Sequence, residues 1–253
     1  MIKGANNIEL FSIYRNIMQS IIVNTVSNTD ISDFYYITVA TKPNIVLDNL
    51  KKKIEKNGET LFVLGENENR VIGWESKQNF GVKLREVSDF LKNPNLNKND
   101  IILFTDAYDI AYFGNKTDII KRFKEFERPI IFGCEKYCFP DPNLKTSYFI
   151  KNTEFPYLNS GMFIGYVEDL RKCIGNYSYN DEDDDQRFWT KAFFENQRII
   201  GLDYNNDLFL NMHDINMEQF SFENDTVFYK NRNPLFIHVN GPDKSMIYDF
   251  LSK

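Results

Sequence analysis

The sequence predicts an α/β domain built on a mostly parallel sheet, and three observations carry that expectation. Short aromatic and β-branched runs, of strand length, recur along the chain. They alternate with stretches whose apolar residues return at helical spacing, the pattern of right-handed crossovers between parallel strands. One run, Ile101-Ile102-Leu103-Phe104, is continuously apolar, as a strand covered on both faces must be.

Taken in order, Phe34 to Ala40 reads as a first strand, stopped by the breaker Lys42-Pro43. Leu47, Leu50 and Ile54 mark a helix that Gly58 ends. Thr60 to Leu64 is a second strand, and Leu84, Val87 and Leu91 mark a second helix. The strand Asp100 to Phe104 follows, then a helix opened by Thr117 with Ile119, Ile120 and Phe123 inward, then the strand Pro129 to Phe132. After Cys134 the alternation fades. Tyr157 to Gly165 reads as a polar turn, Asn159-Ser160-Gly161, feeding an apolar strand; Gln186 to Phe194 reads as a helix and Pro234 to Val239 as a late strand. The expectation is a single domain over 1–253, with a nucleotide-binding half over about 30–134 and an irregular acceptor-binding half over about 135–253.

A chain of 253 residues can bury a sizeable core, and neither a linker nor an internal repeat divides it. The net charge of -6 argues against nucleic acid as a partner, because phosphate contacts need a basic face. The start, Met1 to Leu10, has neither the apolar core nor the cleavage site of a secretory signal, and no apolar run reaches membrane-spanning length. Cys134, Cys138 and Cys173 show no zinc-type spacing. A cytoplasmic location without a membrane partner is therefore expected.

Asp106 and Asp109 stand where the apolar strand ends, and ligands of parallel sheets collect at the carboxyl ends of strands. Two neighbouring carboxylates repel, and a hard cation such as Mg or Mn removes that repulsion. The same residues also suit a surface turn. His238, closing an apolar strand before Asn240-Gly241-Pro242, is either a third metal ligand or a polar residue satisfied by the turn. Asn240, Gly241 and Lys244 could offer a diphosphate an amide, close backbone approach and a cation. In the acidic run, Asp181 to Asp183 read as a solvated helix start. Asp184, Asp185 and Gln186 lie nearest the aromatic body of that helix, where they can be aimed into a cleft. Glu135 follows a strand directly, and Asn159 and Ser160 offer an amide and a hydroxyl beside Gly161, which permits close approach.

Val39-Ala-Thr41, Phe104-Thr-Asp-Ala-Tyr-Asp109, Cys134-Glu-Lys-Tyr-Cys-Phe-Pro-Asp141, Pro156-Tyr-Leu-Asn-Ser-Gly161, Asp183-Asp-Asp-Gln186 and His238-Val-Asn-Gly-Pro-Asp-Lys244 form six ordered blocks. Together they resemble the glycosyltransferase domain of procollagen lysyl hydroxylases over most of the chain. The resemblance implies a glycosyltransferase A type fold, Rossmann-like, that binds a UDP-sugar with Mn2+, or with Mg2+ in its place. It implies that Asp106, Asp109 and His238 are metal ligands and that Val39, Thr41 and Tyr108 contact uracil and ribose. It further places Lys83 near the donor, Asn240, Gly241 and Lys244 on the diphosphate, and Glu135, Asn159, Asp184, Asp185 and Gln186 around the transferred sugar and acceptor.

Three departures accompany the match. No tryptophan aligns with the one that stacks on the donor, although Trp74 is nearby; Phe139 stands where a gating tryptophan occurs; Met162 replaces the second glycine of a pair. The favoured reaction is transfer of glucose from UDP-glucose to galactosyl-hydroxylysine of collagen, an α1,2 linkage formed with retention. Galactose transfer to bare hydroxylysine, and a binding module without turnover, stay open beside it. The Asn-, Lys- and Ile-rich style suggests an AT-rich viral genome, hence a stand-alone enzyme of the host cytoplasm. No hydroxylase activity is expected, because no second histidine is left for an iron site once His238 is committed.

Overall fold

In chain order the first half runs β1 (Phe34–Val39), α1 (Ile45–Lys56), β2 (Leu61–Leu64), α2 (Gly81–Leu91), β3 (Ile101–Thr105), β4 (Ile110–Tyr112), α3 (Lys116–Glu125) and β5 (Ile130–Glu135). The second half runs β6 (Tyr157–Tyr166), α4 (Val167–Ile174), α5 (Asp185–Glu195), β7 (Ile200–Leu202), β8 (Phe209–Asn211), β9 (Phe220–Glu223), β10 (Thr226–Tyr229), β11 (Phe236–His238) and α6 (Ile247–Leu251). The structure, a computed structural model, describes residues 32–68, 70–73, 79–149 and 152–253; Trp74 and the Met1 to Leu10 segment lie outside them. Residues Asp33–Lys253 form one compact unit.

The main sheet has six strands in the order β2-β1-β3-β6-β5-β7. β1 runs parallel to β2 and β3, and β5 runs parallel to β7, so the α/β class with a mainly parallel sheet is borne out. All five residues of β3 are buried, as its unbroken apolar run requires. Helix α1 starts where the Asn44 side chain accepts the Val46 N–H, and it buries Val46, Leu47, Leu50 and Ile54. Helix α3 begins at Lys116 rather than Thr117, because Asn115 is its cap. Behind the sheet, Phe104 and Phe163 stack at 4.9 Å and Trp189 of α5 closes on Phe132 at 5.0 Å. Each such ring contributes roughly 1.5–3 kcal/mol by leaving water.

Two expectations are corrected. Asn159-Ser160-Gly161 is no turn but part of the ten-residue strand β6, antiparallel to both β3 and β5. Pairing to β5 jumps from Phe132↔Phe163 to Gly133↔Asn159, so Ser160, Gly161 and Met162 bulge from that ladder, while on the other edge Thr105 of β3 pairs with Met162 and the Asp106 N–H reaches Gly161 O. The second half follows the expected fading of the alternation: β6 is succeeded by two helices and then by five short strands. β11, the expected late strand, lies between β4 (antiparallel) and β8 (parallel) in a separate three-stranded sheet; β4 and β8, with three residues each, are too short to show a period. Finally, the Asp181 to Asp183 stretch is a turn with Glu182 exposed, but it lies ahead of the helix, whose cap is Asp184, and side-chain bonds tie it down. Asp181 pairs with the Arg70 guanidinium, and Asp183 accepts the Tyr177 hydroxyl at 2.7 Å. No helix among the described residues is long and apolar enough to cross a membrane.

Candidate metal and donor site

The site forms where strand ends from both sheets meet. Asp106 follows β3 directly, and its N–H donates to Gly161 O at 2.8 Å, which anchors it to the bulge of β6. Asp109 precedes β4, and its carbonyl accepts the Val239 N–H at 2.9 Å, which ties it to the end of β11. His238 closes β11 and is 4 % exposed. Asp106, Asp109 and His238 each turn one potential ligand atom to a common point, all within 4.8 Å of one another. The His238 Nε2 lies 3.2 Å from Asp109 Oδ2 and 3.8 Å from Asp106 Oδ2. Gly161 makes room for this: a Cβ there would lie 2.4 Å from His238 Cε1 and 2.9 Å from Asp106 Oδ2.

Two lysines neutralise the aspartates. Lys83 of α2 places its Nζ 2.7 Å from Asp106 Oδ1 and 2.9 Å from Asp185 Oδ2, while Lys244 places its own 2.6 Å from Asp109 Oδ2. Burial alone would lower the pKa of Lys83, but the two carboxylates outweigh it and hold the ammonium well above its ordinary range. Burial alone would raise Asp109, yet His238 and Lys244 outweigh that and hold the carboxyl well below the usual range. Two carboxylates and an imidazole that converge in this way form a donor set that fits a divalent cation.

A second corner is built from neutral partners. Glu135, the last residue of β5, is 3 % exposed. Its Oε1 accepts the Gln186 amide at 2.6 Å and the Asn159 amide at 3.1 Å, and its Oε2 accepts the Asn240 amide at 3.0 Å. Burial pushes the Glu135 carboxyl up to about 7, with the hydrogen bonds from Gln186 and Asn159 pulling the other way. The two corners are bonded through one chain of groups: Lys83 to Asp185, Asp185 Oδ2 to the Ser160 hydroxyl (2.9 Å), the Ser160 N–H to Gln186 Oε1 (3.1 Å), and Gln186 to Glu135.

The remaining candidates fall beside this network. Asp184 caps α5, its Oδ1 accepting the Arg187 N–H at 3.0 Å, and burial raises its pKa. Gly241 has φ +90 and packs on the His213 ring, where a Cβ would lie 3.1 Å from Cδ2. Val39, Thr41 and Tyr108 gather at the end of β1: the Tyr108 hydroxyl accepts the Thr41 and Lys42 N–H groups at 2.9 and 3.0 Å. The Thr41 Oγ1 is buried with no hydrogen-bond partner among the described residues, a costly state that a ligand would relieve.

One residue of the site escaped the sequence reading. Asn211, which ends β8, faces His238 Nδ1 with its Oδ1 at 2.7 Å and is 1 % exposed. Its signal was present, since a polar residue closing the apolar Leu208-Phe209-Leu210 repeats the pattern that singled out His238.

A profile of the PLOD GT domain matches residues 30–252. The chain is 30% identical over 231 residues to a multifunctional procollagen lysine hydroxylase and glycosyltransferase of Caenorhabditis elegans, covering 86% of this chain and 32% of that protein. It is 33% identical over 177 residues to an uncharacterized protein of Acanthamoeba polyphaga mimivirus, covering 68% of this chain and 38% of that one. The chain thus spans about a third of the length of these relatives, 32% and 38%. Among solved structures, a glycosyltransferase involved in the glycosylation of the major capsid of PBCV-1 superimposes with a TM-score of 0.44 at 11% identity, covering 86% of this chain and 99% of that one. With nearly its whole length matched by the family profile, the chain belongs to the PLOD GT domain family.

Proposed function

We propose that this domain transfers glucose from UDP-glucose to galactosyl-hydroxylysine in collagen or a collagen-like acceptor, with Asp106, Asp109 and His238 holding a manganese ion. The observation that carries this reading is the meeting of those three side chains at strand ends, with two lysines offsetting their charge. A manganese ion bound there would supply Lewis-acid stabilisation to the departing diphosphate. Lys244, whose side chain is 46% exposed, is the cation free to exchange its aspartate for phosphate oxygens. Thr41 and Val39 would meet the nucleoside. Tyr108 would meet it through its ring, because its hydroxyl already holds the Thr41 and Lys42 backbone.

The carboxyls divide by their partners. Asp185, gripped by Lys83 and Ser160, is the nucleophile candidate for a retaining transfer, with same-face attack shielded by the leaving phosphate as the other route. Asp184 has one oxygen spent on the helix cap. Glu135, poised near neutrality among amides, is suited to exchange a proton with a sugar hydroxyl. Both ends of the Asn240 side chain are committed, to Glu135 and to the His213 N–H, so it positions Glu135. Mass spectrometry of products from UDP-glucose and UDP-galactose, each on galactosylated and bare hydroxylysine peptides, tests the assignment. Glucose on the galactosylated peptide is expected; galactose on bare hydroxylysine would replace this reading.

A further inference from the structure

We infer that Asn211 is a positioning residue that fixes His238 in the Nδ1–H tautomer and so keeps the Nε2 lone pair available to a cation. The orientation of the Asn211 amide is decided by its other neighbour: its Nδ2 lies 2.9 Å from the Cys134 carbonyl oxygen, and only an NH2 group can face a carbonyl at that distance. Its Oδ1 therefore faces His238 Nδ1 at 2.7 Å. An amide oxygen only accepts, so in the neutral ring the proton sits on Nδ1 and Nε2 carries the lone pair. That lone pair points toward Asp109 Oδ2 at 3.2 Å and Asp106 Oδ2 at 3.8 Å.

The bond matters because the surroundings favour the opposite arrangement. Two carboxylates beside Nε2 would draw a proton onto that nitrogen and turn it from a ligand into a donor. Asn211 counters them from the far side of the ring, as the outer hydrogen bonds of metal-ligating histidines do. The strand geometry is arranged for it: at Gly133 a Cβ would lie 3.0 Å from Asn211 Nδ2 and 3.2 Å from Phe209 Cβ, so a side chain there would displace the amide. Cys134, whose carbonyl anchors Asn211, directly precedes Glu135, so the same bond ties β5 to the histidine.

The purpose assigned to the lone pair rests on the metal reading proposed above, whereas the tautomer does not. The test is long-range 1H–15N correlation NMR of the 15N-labelled, metal-free full chain at a pH where its two histidines are neutral, with a His213→Gln variant to assign the signals. Wild type is expected to show His238 as Nδ1–H. Asn211→Leu is expected to show Nε2–H, with manganese affinity reduced about 10- to 100-fold. Asn211→Asp, which keeps an acceptor toward Nδ1, should retain Nδ1–H. Nε2–H in the wild type, or Nδ1–H persisting in Asn211→Leu, overturns the inference. The wild-type spectrum decides alone if the leucine variant does not fold. Nδ1–H in a wild type that binds no manganese supports the tautomer assignment and overturns the metal reading instead.

Discussion

Asp106 and Asp109 each lie beside a lysine, at 2.7 and 2.6 Å, whereas Glu135, more deeply buried, accepts hydrogen bonds from the amides of Gln186, Asn159 and Asn240 and is influenced less by His238 and Lys244 than by its own burial. Charged partners hold Asp109 well below the usual carboxylate range; neutral ones leave burial dominant, and Glu135 is pushed up to about 7. One corner is thus prepared to keep negative charge for a cation, the other to gain or lose a proton. The contrast teaches that the two ends of this site were separable by partner chemistry, although both are carboxylates at strand ends.

The largest effect is expected from breaking the charged corner. Asp106→Ala or Asp109→Ala should lower sugar transfer by about two to three decades, the cost of losing one preorganised electrostatic partner. Product quantification at ordinary manganese checks this, and near wild-type rates would remove these residues from the metal site.

The neutral corner should answer to pH instead. Folded Glu135 keeps its proton to about 7, whereas the unfolded chain releases it near the ordinary 4.5, so the unfolded state binds fewer protons between these values. The stability gained from the protonated form is therefore whole below pH 4.5 and lost as pH rises through about 7. Asp203, pushed up to about 6 by burial, adds a loss of the same sign at lower pH. Glu135→Gln should shrink the decline by up to roughly 3 kcal/mol, at 1.36 kcal/mol per unit. Urea unfolding at pH 5 and pH 8 measures it; an unchanged decline would mean that Glu135 is not the titrating group.

Gly161→Ala probes the ground the charged corner stands on. A Cβ only 2.4 Å from His238 Cε1 forces the ring aside, and about 1–3 kcal/mol of stability should be lost by overpacking. Smallest is Asp184→Ala, which removes a helix cap and should cost ~1 kcal/mol in thermal or chemical unfolding. A loss of transfer much larger than this stability cost would show that Asp184 also serves the reaction.

The same contrast describes what the sequence made legible. β1, β2, β3 and β5 were readable because each is an apolar run followed or preceded by a helical period, and their carboxyl ends pointed to Asp106 and Glu135. β6 was misread because Asn159, Ser160 and Gly161 look like turn residues, whereas they occupy a strand whose bulge brings Gly161 against His238. β11 was legible as the apolar run of Pro234 to Val239, whereas β7 and β8 have three residues each, too short for a period, and tertiary pairing defines them. The metal candidates were found through block order and chemistry. Asn211 was passed over: a polar residue closing Leu208-Phe209-Leu210 marks a strand end, but the pairing that lays the His238 ring on its amide comes from another strand.

The central claim is that Asp106, Asp109 and His238 hold a divalent cation that the transfer reaction needs. Its most direct test is UDP release from UDP-glucose by the wild-type chain, with a galactosyl-hydroxylysine peptide, after chelation and then with manganese restored. The account predicts release that is lost on chelation and recovered on adding manganese; release that continues undiminished in chelator would contradict it.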